Sequence, residues 1–267
     1  MAKISEEMRL HFNEVIIPYK EKISALLAKE KTMLNGMHKG DIDLENKKIL
    51  LCEDMIYIST LYMAQNSLSL KVLGVKNNDA LNDARKVLYK AIIYMEEIVT
   101  DKIDVPYLDL TENLEKVKNI SISRRFMLIK KLGLAISMLK EAFGENSKWK
   151  LSFVELEGRF ATIAKNLLDM RECVKYYFDP SSENYELVAL YIRLIEKLLK
   201  DSANAYRNKY ETSSRRIDYM RNGIKFLLAL RKFYIAIGKT DLADEVKRKA
   251  LVWKDKMDSD HKNGLSN

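Results

Sequence analysis

The chain has 267 residues, long enough for one large domain or two small ones, and its 47% hydrophobic against 31% charged residues supply both a core and a solvated surface. So apolar a chain offsets the entropy of ordering itself, which excludes disorder over most of its length. Three prolines and nine glycines fall well under the usual usage of roughly 5% and 7%, which points to long helices with few turns. The net charge of +8 is concentrated: between Arg193 and Lys256 there are 17 Lys/Arg against 8 Asp/Glu, a surplus of nine, so the remainder sums to minus one.

Apolar residues recur at spacings of three and four almost without interruption, the signature of one helix face turned to a core. The first helix is expected to start after Ser5 as N-cap, with Met8, Phe12, Val15, Tyr19, Ile23 and Leu26 on its stripe. Pro18 should kink or split it, because proline removes a backbone donor and crowds the preceding turn. Gly36 and Gly40 close the segment, and Lys39-Gly40-Asp41 reads as a loop. A second helix over 44–73 ends at Gly74; Leu50, Leu51, Met55, Ile56, Ile58 and Leu61 face several directions, the mark of a central helix. After the polar turn 76–79 a third helix carries Leu81, Ala84, Leu88, Ala91, Met95 and Ile98, running out near Ile103.

Residues 104–120 are the least regular stretch and are expected to form a packed junction, with a turn at 104–106 and a short helix or ordered loop over 110–120. A fourth helix, after Ser121 or Ser123, carries Phe126, Ile129, Leu132, Ile136, Leu139 and Phe143, and Gly144 stops it. The fifth is read as continuous from about Ser147 to Tyr177, through Phe153, Phe160, Leu167, Met170 and Val174. Asp179-Pro180 then reads as the N-cap and first turn of a sixth helix over about 182–210. After a polar break at 211–214, a seventh holds Ile217, Met220, Ile224, Leu227 and Tyr234 up to Gly238. The eighth begins at Thr240 or Asp241, and a polar tail from Ser259 is expected to fray.

The expectation is therefore an all-α fold of about eight antiparallel helices, either stacked as helical hairpins or gathered in an irregular bundle. The domain reading is an N-terminal half over 1–103, the junction 104–120, a C-terminal half over 121–258 and a tail over 259–267, with one continuous domain as the alternative. Leu230, Tyr234, Gly238, Ala243 and Ala250 place an aromatic four residues before a turn glycine and alanines five and twelve after it. On that spacing residues 227–255 resemble one hairpin of the tetratricopeptide-repeat family, and Ala84 and Ala91 after Gly74 give a looser echo. Arg231 stands where the family has a small residue, and the helices are long for a repeat of about 34 residues. The resemblance implies stacked hairpins that present a groove to a peptide or partner protein.

Chemistry-bearing motifs are sparse. His11, His38 and His261 are scattered, and His11 with Glu7 and Glu14 lacks the Glu-x-x-His pairs of a helical metal centre. Glu96-Glu97 and Glu155-x-Glu157 read as solubilising helix faces. No phosphate-loop, dinucleotide, nucleophile-elbow or zinc-protease motif occurs. No enzyme activity, cofactor or metal is expected. Cys52 and Cys173 lie in apolar patterns and read as small buried hydrophobes. The first ten residues hold no apolar core of signal length, and no run approaches about 18 apolar residues. The cytoplasm is the expected compartment.

What remains is the basic surplus. Arg207, Lys209, Arg215, Arg216, Arg221 and Lys225 cluster around the turn between the sixth and seventh helices, with Tyr206, Tyr210 and Tyr219 interleaved. Arg221 and Lys225 fall opposite Ile217, Met220 and Ile224 and should face solvent. Such a surface suits an anionic partner, although Asp218 and Glu211 would offset part of its charge, as on any solvated helix face. The function expected is a non-catalytic interaction scaffold or adaptor contacting an acidic protein; the alternative is a nucleic-acid-binding helical protein using the same surface.

Overall fold

Ser5 opens the first helix in the computed structural model, its hydroxyl accepting from the backbone N–H of Met8 at 3.2 Å. The structure describes residues 4–38, 43–144, 147, 149–213 and 215–264. The loop read at Lys39-Gly40-Asp41, the break residue Ser214 and the last three residues of the tail lie outside them. Among the described residues there are ten α-helices, one 3-10 turn and no strand: α1 Glu6–Asn35, α2 Leu44–Leu73, α3 Asn78–Val99, the 3-10 turn Tyr107–Leu110, α4 Thr111–Lys116, α5 Ile122–Phe143, α6 Lys150–Asn166, α7 Met170–Tyr177, α8 Tyr185–Thr212, α9 Ile217–Ala236 and α10 Thr240–Lys262. The contacts divide the chain into two compact units, Met1–Ile98 with Leu128–Lys148, and Val99–Met127 with Trp149–Asn267. Residues 104–120 fall within the second.

In the first unit α1 buries Phe12, Ile16 and Ile23 and passes through Pro18 without splitting. Its stripe continues one heptad further to Glu30, a buried carboxylate that accepts from Lys90 at 2.7 Å and from the Tyr94 hydroxyl. Helix α2 is buried on several faces, at Leu51, Cys52, Met55, Ile56, Ile58 and Met63, while Leu50 stays exposed. All six residues of the α3 stripe are 0–1% exposed. Burying each large apolar side chain contributes roughly 1.5–3 kcal/mol, so this face alone anchors α3.

The second unit, together with the end of α3 that leads into it, departs from the expected outline in three places. The segment read as one helix from 147 to 177 is two. Helix α6 ends at Asn166, and the Asp169 carboxylate accepts from the N–H groups of Arg171 and Glu172, capping a fresh start for α7. The apolar spacing runs on through this break, so periodicity alone does not reveal it. Helix α8 begins at Tyr185, later than the Asp179-Pro180 signal suggests, because Asp179 instead closes a local turn by accepting from the N–H and hydroxyl of Ser181. Helix α3 stops at Val99, where Thr100 takes a left-handed φ of 80°, and residues 107–116 form the 3-10 turn and α4.

The core of this unit surrounds α6. Every residue from Phe160 to Leu168 is buried, so the C-terminal half of α6 has no solvent face. Tyr191 on α8 stacks on Phe126 at 5.0 Å and donates to the Ala164 carbonyl. Helices α9 and α10 form a hairpin over Ile237, Gly238 and Lys239. Gly238 has φ 75°, and Leu230, Tyr234, Ala243 and Ala250 are all buried against this seam. Helix α10 continues past Ser259 to Lys262, and Asp260 is buried, accepting from the Tyr210 hydroxyl at 2.9 Å and from Lys256 at 3.2 Å.

Candidate functional site

The six basic residues singled out in the sequence divide into two groups on the end of α8 and the start of α9. Arg207 is half-buried: its Nε donates to Glu211 at 3.0 Å, and its guanidinium lies 5.2 Å from the ring centre of Trp253. Lys249 approaches the same indole at 5.0 Å, so two cations share one buried aromatic of α10. Lys209 donates to the Leu151 carbonyl at 2.9 Å and sits 4.3 Å from the Tyr219 ring. Both side chains therefore brace the turn.

Arg215, Arg216, Arg221 and Lys225 are exposed. Arg215 takes a left-handed φ of 50°, which aims the chain back into α9. Arg216 lies 5.5 Å from the Tyr219 ring and 3.8 Å from Asp218, and Arg221 donates to the same Asp218 at 2.9 Å. These guanidinium groups are more than half exposed, so the pairs add little stability. Asp218 thus offsets one charge of three, and the face remains cationic. Lys225 has no ion-pair partner among the described residues and borders a cleft.

That cleft, about 410 Å³, is built from loop 101–105, Gly158 and Thr162 of α6, Tyr206 of α8, and Asn222, Lys225 and Phe226 of α9. Its loop is held by two neighbouring buried side chains that sequence reading passed over. Lys165, 1% exposed, donates to the carbonyls of Ile103 at 3.2 Å and Val105 at 3.0 Å. Asn166, 0% exposed, donates to those of Thr100 and Lys102. Four carbonyls of one loop are satisfied by one dipeptide. Burial, and secondarily the Lys232 charge, pull the Lys165 ammonium down to about 8, against the opposing pull of Asp104. The Tyr107 ring lies 4.9 Å from that ammonium, and burial pushes the phenol up. So enclosed a lysine, with its donors committed to backbone, acts as a clamp on the loop. The sequence carries no clear signal for it, because Thr162, Lys165 and Asn166 fall on one helix face and read as an ordinary polar stripe, whereas all three are buried.

His11, Glu7 and Glu14 are all exposed, and no group of three His, Cys, Asp or Glu suited to a metal occurs among the described residues. Cys52 and Cys173 are buried free thiols, each pushed up by burial. No helix among the described residues is long and apolar enough to cross a membrane.

The family model described as the TP0443 family matches residues 8–261, and the chain belongs to that family. No curated protein and no solved structure matches it.

Proposed function

We propose that this TP0443-family chain is a non-catalytic interaction scaffold, built of stacked hairpins in the manner of tetratricopeptide repeats, whose α8–α9 basic surface contacts an acidic face of a partner protein in the cytoplasm. The observation that carries the reading is the division of labour among the six cations. Arg207 and Lys209 fix the turn against Trp253, Tyr219 and the Leu151 carbonyl, and Arg215, Arg216, Arg221 and Lys225 stand out from it in solvent. A braced turn displays its charges at little further entropic cost on binding. The aromatic residues weigh against the nucleic-acid alternative. Tyr206 and Tyr210 are buried, and Tyr219 is covered by Lys209 and Arg216, so no open ring is offered to an unstacked base. Buried, unpaired thiols fit a reducing compartment.

The test is capture from cell lysate at low salt, with and without nuclease, comparing wild type with Arg215→Glu/Arg216→Glu/Arg221→Glu. A defined protein that survives nuclease and is lost from the variant, with helicity unchanged by circular dichroism, is the expected result. Recovery of nucleic acid alone, or equal capture by the variant, overturns the proposal.

A further inference from the structure

We infer that the cleft beside loop 101–105 binds an amino dicarboxylate, a small molecule or peptide end that carries one ammonium and two carboxylate groups. Three charged side chains in its lining are unengaged: Asp101 and Lys102 on the loop, and Lys225 on α9. Among the described residues neither ammonium has a hydrogen-bond or ion-pair partner, and Lys102 does not pair with the Asp101 beside it in the chain. Asp101 makes only a long contact, 3.5 Å, with the Thr100 hydroxyl. The other charges of the lining are taken: Asp104 is held by Lys232 at 2.5 Å, and Arg159 is already engaged. Two free cations and one free carboxylate are the complement of two carboxylates and one ammonium. A plain anion would leave Asp101 opposed, whereas the ligand's own ammonium satisfies it.

Recognition rests on these polar groups because the aromatic residues of the lining are closed off. Tyr206 and Phe226 are buried and stacked on each other at 5.7 Å, so they offer no open ring to a ligand. The Asn222 amide, without a partner among the described residues, lies in the lining about one turn of α9 before Lys225 and supplies both a donor and an acceptor. A volume of about 410 Å³ lies in the range, about 300–1,000 Å³, that encloses one small molecule. Asp101, Lys102 and Lys225 are exposed, so each ion pair alone contributes little. Selectivity comes from meeting three charges at once.

The loop carries its two charges on a fixed backbone. Asn166 donates to the carbonyls of Thr100 at 3.2 Å and Lys102 at 3.1 Å, one on each side of Asp101. Lys165 holds the carbonyls of Ile103 and Val105 that follow. Binding therefore needs no ordering of the loop.

Isothermal titration of the full chain with L-glutamate, glutarate and L-glutamine tests the inference, since glutarate lacks the ammonium and glutamine lacks one carboxylate. Glutamate is expected to saturate with a Kd of about 1 mM or below. It should bind at least about threefold more tightly than either analogue, an effect within reach of an exposed ion pair. Asp101→Asn should erase the preference over glutarate, and Lys225→Gln the preference over glutamine, with helicity unchanged in both. L-Glutamyl-L-alanine keeps one ammonium and two carboxylates on a longer body. Tighter binding than glutamate assigns the end of a peptide as the ligand, and equal or weaker binding the free amino acid. No partner protein takes part in these titrations, so they stand or fall apart from the scaffold reading. Saturation absent up to about 10 mM, an analogue that binds as tightly as glutamate, or a preference that survives its variant overturns the inference.

Discussion

Replacing Lys165 with methionine separates two opposing effects that a single measurement at neutral pH would hide. Methionine keeps the length and apolar stem but removes the donors, leaving the Ile103 and Val105 carbonyls without Lys165. Each lost acceptor costs about 1–3 kcal/mol. Against this, the wild-type ammonium is buried at a cost. Its ordinary value of 10.5 falls to about 8 in the fold, which corresponds to roughly 3 kcal/mol against the charged form. At pH 7 the two effects are of similar size and the variant should lie within about 2 kcal/mol of wild type.

The sign then depends on pH. A lysine with a lowered folded value binds fewer protons in the folded state than in the unfolded one between about 8 and 10.5, so folding gains stability as pH rises through that window. Between pH 7 and 9.5 the gain is about 2 kcal/mol, and Lys165→Met lacks it. Denaturant unfolding of both proteins at pH 7, 8 and 9.5 measures the difference, in which the other titrating groups largely cancel. The wild type should gain on the variant by about 2 kcal/mol across that range. A difference that stays flat, or that shrinks as pH rises, would refute the picture of a charged lysine held in a closed interior.

Gly238→Val should lower stability by about 1–2 kcal/mol, since Gly238 has φ 75° and a β-branched residue resists the left-handed region; Gly238→Asn, which tolerates it better, should lose less, and thermal melts read both. Asp260→Asn should lower the melting temperature at pH 7, because the Tyr210 hydrogen bond, aided by Lys256 and Arg215, holds the Asp260 carboxyl below its ordinary range. A depressed carboxyl stabilises the fold above the ordinary aspartate range and loses that contribution as pH falls through its folded value. The gap between wild type and Asp260→Asn should therefore narrow in acid melts below about pH 3.

The sequence is most legible where one face repeats without competition. Helix α2 occupies the predicted 44–73, and each member of the α3 stripe from Leu81 to Ile98 is buried. The turn at Gly238 was readable because glycine there coincides with the end of one stripe and the start of another. The misses share a different cause. The break at 167–169 is invisible because Leu167, Met170 and Val174 keep helical spacing across it, and only the capping by Asp169 ends the ladder. Glu30 lies seven residues after Ile23 and fourteen after Ile16, so its place on the buried face was readable from position, but its charge argued for solvent. Asp260 lies in a polar stretch, and its burial depends on Tyr210, fifty residues earlier, a pairing no local pattern contains.

The basic turn and the cleft illustrate how far charge counting goes. From the sequence both are part of one surplus of cations, but the structure separates them by what each cation already touches. Arg207, Lys209, Arg216 and Arg221 are engaged with Glu211, Trp253, Tyr219, Asp218 or a backbone carbonyl. Lys102 and Lys225 have no such partner among the described residues. An engaged surface cation contributes a field that salt screens over about 8–10 Å. Lys102 and Lys225 are exposed, so salt screens them in the same way. Capture of a partner through the turn should therefore decline steeply as salt rises. Lysate capture repeated at rising ionic strength reads this, and capture that holds undiminished at high salt refutes an electrostatic contact through the turn.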